Sequence, residues 1–223
     1  MSTLNFKNAV YDYRFLKNNS YPDKAALKLV SDRYRLTGIQ RNCLLRGVVA
    51  TDQCRSRLAK KLAPQAVRGR ALGIDWFNVL ITLESYLKGA VLFLADDGVI
   101  RDSSAVHGSY RRGSRTTRAM DLFWRAVTNL QPGRVDIFID SPIPHSKEMR
   151  DDLAAGRAGA GSAFPCSFTL TKSADYPLKT YAEVVASSDS VIIDRCQAFI
   201  DLPRLALETQ TQFRAVPLEK LSL

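Results

Sequence analysis

Four short, mainly apolar runs of this 223-residue chain end in aspartate. Asp75 follows Ala71–Ile74, Asp96 and Asp97 follow Val91–Ala95, Asp140 follows Val135–Ile139, and Asp189 follows Val184–Ser188, with Asp194 about one helical turn beyond. If these runs are parallel strands, their C-terminal ends share one edge of a sheet, and open α/β sheets bind ligands in the crevice there. Carboxylates gathered on one edge repel each other unless a cation neutralises them. Hard oxygen donors suit Mg²⁺ or Mn²⁺, and such ions activate water and stabilise a transferring phosphoryl group. Asp75, Asp140 and Asp189 are therefore candidate catalytic residues. Asp75, Asp97, Asp140 and Asp189 are candidate ligands of Mg²⁺ or Mn²⁺, with Asp96 and Asp194 in support. The competing reading is simpler. Aspartate is common in turns and at helix starts, and Asp189, among Ser187, Ser188 and Ser190, is well placed to begin a helix through Val191, Ile192 and Ile193.

A second constellation is basic. Arg101, Arg111, Arg112, Arg115 and Arg118 lie with Tyr110 in a segment holding a single acid, Asp102. Arginine pairs bidentately with phosphate and tyrosine stacks on bases. Tyr110, Arg111, Arg112 and Arg115 are thus candidate nucleic-acid contacts; a solvated basic loop is the alternative. The only histidines are His107 and His145, and neither has a spaced partner for a zinc site. His107 is a weak candidate for proton transfer, and His145 reads as a helix cap. Cys43, Cys54, Cys166 and Cys196 are scattered without C-x-x-C spacing and read as reduced thiols of a cytoplasmic protein.

The elements that must position these groups fall into two parts. Residues 1–70 carry 15 Lys+Arg against 4 Asp+Glu, a balance of +11, and residues 71–223 carry 17 against 18, a balance of −1. The first part reads as helical: a helix over about 4–18, a second opened by Pro22 and Asp23, a third opened by a Thr37/Gln40 capping box, and a fourth over about 51–62. The third should turn Ile39, Cys43, Leu44 and Val48 inward. Helices two and three have the proportions of a helix-turn-helix, whose outer side would offer Gln40, Arg41, Asn42 and Arg46 to bases or phosphates. The alternative is a helical hairpin with a solvated basic face. From Ala71 the pattern is apolar runs alternating with helices, above all 115–130, which Pro132 and Gly133 end. That predicts an α/β fold with a mostly parallel sheet buried on both faces. The expected organisation is a basic helical domain over 1–62, a linker over 63–70 and an α/β domain over 71–223. Residues 155–165 read as a loop. No apolar run approaches the roughly 20 residues a membrane span requires, so no membrane partner is expected, and the N-terminus lacks a secretory signal.

Gly73-Ile-Asp-Trp-Phe-Asn-Val-Leu-Ile81 resembles the opening strand and helix of PIN-like and NYN-type nuclease domains, and Ser187-Ser-Asp-Ser-Val-Ile-Ile-Asp194 resembles their later acidic motif. The chain as a whole resembles an uncharacterised, largely archaeal and bacterial family of domains of unknown function. That family pairs a small helical N-terminal domain with a C-terminal PIN-like domain of three α/β/α layers. Ala95-Asp-Asp-Gly98, Gly108-Ser-Tyr-Arg111 and Ile139-Asp-Ser-Pro142 carry that likeness. The resemblance implies that Asp75 and Asp189 are metal-binding carboxylates, that Asn78 braces the first strand end, and that Asp140 is a further strand-end aspartate. It makes Asp97 and Glu84 possible further ligands. The Asp96-Asp97-Gly98 segment has no counterpart in an ordinary PIN nuclease.

Three functions compete. The first is a Mg²⁺- or Mn²⁺-dependent nuclease whose N-terminal helices dock RNA or DNA, which the sequence does not separate. The second is a non-catalytic nucleic-acid-binding protein with a vestigial PIN-like domain. The third, a small phosphoryl-transfer or nucleotide-binding enzyme, lacks both G-x-x-x-x-G-K-[ST] and a strand-following G-x-G-x-x-G.

Overall fold

In a computed structural model of the chain, residues 3–103, 110, 112–159 and 164–221 are described. The order of elements opens with α1 (Thr3–Asn18), α2 (Asp23–Arg33), α3 (Gly38–Gly47) and α4 (Thr51–Lys60). A short 3-10 turn over Pro64–Val67 leads to β1 (Ala71–Asp75), α5 (Trp76–Leu87), β2 (Leu92–Leu94) and β3 (Ile100–Asp102). Then come α6 (Thr116–Leu130), β4 (Arg134–Asp140), α7 (Ser146–Gly159), β5 (Cys166–Thr171) and α8 (Asp175–Lys179). The chain continues through β6 (Val184–Ala186), α9 (Ser190–Arg195), β7 (Ala198–Ile200) and α10 (Leu202–Glu208). None of the described helices is long and apolar enough to cross a membrane.

These elements form two compact units that do not follow chain order. The first comprises Met1–Ala59, Gly89–Ala105 and Arg214–Leu223; the second comprises Lys60–Lys88 and Val106–Phe213. In the first unit, Phe6, Tyr13, Cys43, Leu44, Phe93 and Leu218 share one apolar core. The capping box of α3 forms as its residues require: Gln40 N–H donates to Thr37 Oγ1 (3.3 Å) and Thr37 N–H donates to Gln40 Oε1 (2.9 Å). The buried positions of α3 are Gln40, Cys43, Leu44 and Gly47, an i, i+3, i+4, i+7 stripe. Ile39 lies off that stripe and is 51% exposed, against the expectation that it faces inward.

The run Val91–Ala95, expected to be a strand of the parallel sheet, is instead one arm of an antiparallel hairpin in which β2 pairs with β3. The cause is local. Asp96-Asp97-Gly98 is the hairpin turn, with Gly98 at φ 71, Ala95 N–H donating to Val99 O (3.0 Å) and Gly98 N–H donating to Ala95 O (2.9 Å). An Asp-Gly pair supplies the positive φ that tight hairpins need.

In the second unit, five parallel strands run in the order β5-β4-β1-β6-β7. Registered neighbours in a parallel pair share a face. Ile74, Ile137 and Phe168 point to one side, where Phe168 meets Trp124 of α6 ring edge to ring face at 6.5 Å. Gly73, Asp136 and Phe138 point to the other, where Phe138 meets Tyr181 beyond α8 at 6.2 Å. A Cβ at Gly73 would come within 3.0 Å of Leu178 and Tyr181, so the glycine permits the close approach of α8. Burial on both faces holds for β1, β6 and β7 but not for the β4–β5 end. There, Val135, Ile137 and Ile139 are buried while Asp136, Phe138 and Asp140 are half-buried, and alternate residues of β5 are exposed. Residues 60–70 belong to this second unit, in which Leu62 N–H donates to Phe199 O (2.8 Å). The first part of the expected loop over 155–165 is helical instead: α7 runs through Gly159, its Ala154-Ala155 pair being a strong helix former. Residues 160–163 lie outside the described residues.

Candidate functional site at the sheet edge

β1 is the point at which this topology turns. Its outgoing connection leads to β4 on one side, whereas the strand on its other side, β6, leads on to β7. Open α/β sheets form their ligand crevice at such a switch point, beyond the C-terminal ends of the strands. Asp75 is the last residue of β1, and Ser187-Ser188-Asp189 follow β6 directly. Ser187 Oγ donates to Asp75 Oδ2 (2.8 Å) and accepts from Asp189 N–H (3.0 Å). Ser188 donates to Asn78 Oδ1 through both its N–H and its Oγ, each at 2.8 Å. Asn78, in the first turn of α5, thereby ties the end of β1 to the turn after β6.

Every strand of the sheet runs into an aspartate: Asp75 at the end of β1, Asp140 at the end of β4, Asp175 four residues past β5, Asp189 after β6 and Asp201 after β7. Their environments differ. Asp75 is almost fully buried. Burial pushes its carboxyl up to about 7; Asp140, Asp189 and Asp175 push it the same way, and the Ser187 hydrogen bond opposes them. Asp140 is also raised, first by burial and then by Asp175, while the Ala174 N–H that donates to its Oδ1 (2.8 Å) holds it down. Asp189 caps α9, accepting from Val191 N–H at 2.6 Å, so the simpler reading of this residue is correct at the local level. Asp201 caps α10 in the same way through Arg204 N–H (3.2 Å). Asp175 is hard to single out in the sequence because a Lys172-Ser-Ala turn separates it from its strand. An acid within a few residues of a strand end is the available signal.

The other expected site residues lie elsewhere. Asp96 and Asp97 belong to the hairpin of the first unit. Asp96 pairs with Arg14 (2.6 and 2.9 Å) and accepts from Val49 N–H (3.1 Å). Asp97 is buried between Arg101 (two bonds of 2.8 Å) and Arg57 (2.8 Å). Its burial favours the neutral acid, but the two guanidinium groups outweigh this and hold it below the usual carboxylate range. A carboxylate so engaged is not a ligand in waiting, and Asp97 does not belong to the metal set expected for it. Glu84 is nine residues along α5 from Asp75, about 14 Å at the rise of an α-helix. Its buried carboxylate accepts from Thr116 Oγ1 (2.6 Å), Tyr110 OH (3.0 Å) and Lys88 Nζ (2.9 Å), which is a structural role. Asp194 is exposed on α9, and its carbonyl accepts from Lys60 Nζ (2.8 Å).

Of the expected nucleic-acid contacts, Tyr110 is 3% exposed, with its ring 5.3 Å from that of Phe77, so it offers no stacking face. Gln40 is buried in its capping box, and Arg46 pairs with Asp102 (3.1 Å); neither can read bases as arranged. Arg41 and Arg115 are exposed, and Arg112 pairs with Asp152. His145 stands before α7, its carbonyl accepting from Met149 N–H (2.9 Å). Arg111 and His107 lie outside the described residues. The four cysteines are unpaired thiols, and burial raises Cys43 to about 12 and Cys166 to about 11.

Among the described residues, no group of three or more His, Cys, Asp or Glu side chains could hold a metal ion. The edge thus offers the chemistry of a hard-cation site without a preformed cage.

The comparisons with known proteins match the chain in two consecutive segments. The pattern of the family described as a domain of unknown function (DUF5616) matches residues 64–205, and that of a protein of unknown function (DUF434) matches residues 5–60. The chain belongs to the DUF5616 family. It is 30% identical over 211 residues to an uncharacterized protein of Methanocaldococcus jannaschii, an alignment covering 92% of this chain and 98% of that protein. The expected uncharacterised family is thereby shown. No solved structure matches the chain.

Proposed function

We propose that the second unit is a PIN-like domain that hydrolyses phosphodiesters of nucleic acid at the C-terminal edge of its sheet. The observation that carries this is Asp75: a buried carboxylate at the switch point, destabilised as an anion by burial and by the carboxylates of Asp140, Asp189 and Asp175. A group so placed is neutralised either by a proton or by a cation. Hard oxygen donors suit Mg²⁺ or Mn²⁺, and Mg²⁺ is commonly held by one or two carboxylates, with water and substrate phosphate completing its shell. Two carboxylates, Asp75 with Asp189, fit that demand where three do not converge. Such an ion, when bound, supplies an activated water and offsets phosphate charge. The chain's own residues do the rest. Ser187 fixes the Asp75 rotamer, Asn78 fixes the turn carrying Asp189, and Asp140 is available to orient water. A carboxyl near 7 is also poised to take up or release a proton at neutral pH. The first unit carries 14 Lys+Arg against 8 Asp+Glu, a balance of +6, which would attract a polyanion without reading its sequence.

The test is cleavage of labelled RNA and DNA, single- and double-stranded, by the purified chain with Mg²⁺ or Mn²⁺, beside Asp75→Asn. Metal-dependent cleavage lost in Asp75→Asn supports the reading. Equal cleavage by the variant sinks it. The lack of a preformed three-ligand group among the described residues favours one alternative, a non-catalytic nucleic-acid-binding protein. For that protein, salt-dependent binding without cleavage in any divalent ion is the expected result.

A further inference from the structure

The second unit holds a cleft that the strand-end aspartates do not line. Its volume is about 690 Å³, within the roughly 300–1,000 Å³ of small-molecule sites. α6 lends it Asp121, Trp124, Arg125 and Thr128, α7 lends it Gly156, and the turn after α10 lends it Gln210. Because α6 ends at Leu130 and β4 begins at Arg134, the C-terminal half of α6 adjoins the start of the strands and not their aspartate ends. One group in the wall is unaccounted for. Trp124 is 3% exposed, and among the described residues its indole Nε1 finds no hydrogen-bond partner. That nitrogen can only donate, and a buried donor left unpaired is rare and costly. The same edge of the indole is kept clear by a missing side chain: a Cβ at Gly156 would come within 2.9 Å of Nε1 and 3.2 Å of Cδ1. Trp124 and Gly156 both line the cleft, so the unused donor lies in its wall.

Two opposite charges stand in that wall as well. Asp121 and Arg125 are exposed and four residues apart on α6, a spacing at which side chains are neighbours. Among the described residues neither is engaged in an ion pair. A guanidinium offers a carboxylate a forked pair of donors. A free carboxylate offers an ammonium an acceptor, and the carbonyl end of α6, where Asn129 also lines the cleft, favours a cation. We propose that the cleft binds a small zwitterion of amino-acid or short-peptide chemistry. Its carboxylate is held by Arg125 and the Trp124 N–H, and its ammonium by Asp121. This assignment does not depend on the proposed phosphodiesterase activity.

The test is calorimetric titration of the full chain with the proteinogenic L-amino acids and with dipeptides built from them. Each binder is then repeated in its N-acetylated and its C-amidated form. A free zwitterion should bind and raise the melting temperature, and blocking either end should weaken it by roughly tenfold or more, the loss expected for one charge-assisted hydrogen bond. Asp121→Asn should abolish the loss caused by acetylation, and Arg125→Gln the loss caused by amidation. Both residues are exposed, so both variants should melt with the wild type, which excludes misfolding as the cause. Trp124→Phe removes the N–H while keeping an aromatic ring against Phe123 and Phe168, and should weaken every carboxylate-bearing probe. Binding by amino acids alone, or by dipeptides alone, assigns the source of the zwitterion. The proposal is overturned if no probe binds, if blocked forms bind as tightly as free ones, or if Asp121→Asn and Arg125→Gln bind as the wild type does. Cleavage of nucleic acid should be the same in all these variants, so either reading can fail while the other stands.

Discussion

Ser187 Oγ donates to Asp75 Oδ2 at 2.8 Å across 112 residues of sequence, and the two residues stand at the ends of the two parallel strands between which the order of the connections reverses. That bond favours the Asp75 anion, whereas burial, Asp140, Asp189 and Asp175 all disfavour it and together prevail. The fold thus disfavours the Asp75 anion more than its hydrogen bond compensates.

That charge sets a pH signature. The Asp75 carboxyl is raised in the fold to about 7 from an ordinary value of 3.8. Its contribution to stability is therefore fully present below pH 3.8 and is lost as pH rises to about 7. The loss is on the order of 4 kcal/mol, because each pH unit between the two values is worth about 1.36 kcal/mol. Asp75→Asn cannot ionise and should be more stable than wild type at about pH 8, with the advantage vanishing near pH 4. Urea denaturation across that range measures it. Mn²⁺ should stabilise the wild type at the alkaline end of the range and leave Asp75→Asn unmoved. A variant less stable than wild type there would show that the Asp75 charge is already compensated.

Asn78 makes a second, independent claim. Its Oδ1 accepts two hydrogen bonds from the buried Ser188. Asn78→Ala removes that acceptor and should cost about 1–3 kcal/mol, the usual penalty for a buried donor deprived of its partner. If hydrolysis is found, the variant should also lose turnover more than affinity, because the turn that carries Asp189 is released. Chemical denaturation and steady-state kinetics read the two effects separately. An Asn78→Ala protein with unchanged midpoint would show that the turn after β6 is held by other groups.

How much of this is legible in the sequence depends on how local each signal is. The helix starts at Asp23 and Thr37 and the strands at Ala71, Val135 and Val184 are readable, because capping chemistry and buried apolar runs are written in adjacent residues. The pairing of a run is not. Val91–Ala95 has the composition of a buried strand, yet Asp97-Gly98 turns it back on Ile100–Asp102 within a few residues, and so the acids after it leave the sheet. Burial of polar side chains is equally hidden. Tyr110 and Glu84 look like surface or site groups until their partners Phe77 and Thr116, both distant in sequence, are known, whereas Gln40 reads both as half of the Thr37 capping box and as a base contact, and only its burial decides between them. Asp75, Asp140 and Asp189 are legible as strand ends; that Asp189 also caps α9 is visible from its serine neighbours.

The two faces of α3 separate structural from electrostatic roles. Gln40→Ala removes half of the capping box and should cost about 1 kcal/mol of stability, with no change in the salt dependence of nucleic-acid binding. Arg41→Gln should leave the melting temperature unchanged. If the first unit contacts phosphates, it should lower the salt slope by about 1. Calorimetry and a salt titration distinguish them. The opposite pattern, a slope moved by Gln40→Ala alone, would restore Gln40 as a contact residue.

The hairpin acids offer the sharpest contrast with the sheet edge. Asp97 lies between Arg101 and Arg57, all three buried. Replacing a buried pair with apolar groups can be neutral, but removing one partner strands the other charge and costs about 3–5 kcal/mol. Asp97→Asn leaves two buried guanidinium groups facing an amide and should be among the most destabilising single changes in the first unit. The pH dependence has the opposite sign to that of Asp75. Despite burial, Asp97 is held below 3.8 by Arg101 and Arg57. The stability it provides is present above pH 3.8 and is lost only as pH falls through its lowered value. Acid titration of the melting temperature should therefore show wild type and Asp97→Asn converging at low pH, and Asp75→Asn and wild type converging there too, from the other side. If Asp97→Asn folds with wild-type stability at neutral pH, the carboxylate is not what neutralises the two arginines, and its exclusion from the metal site would need another reason.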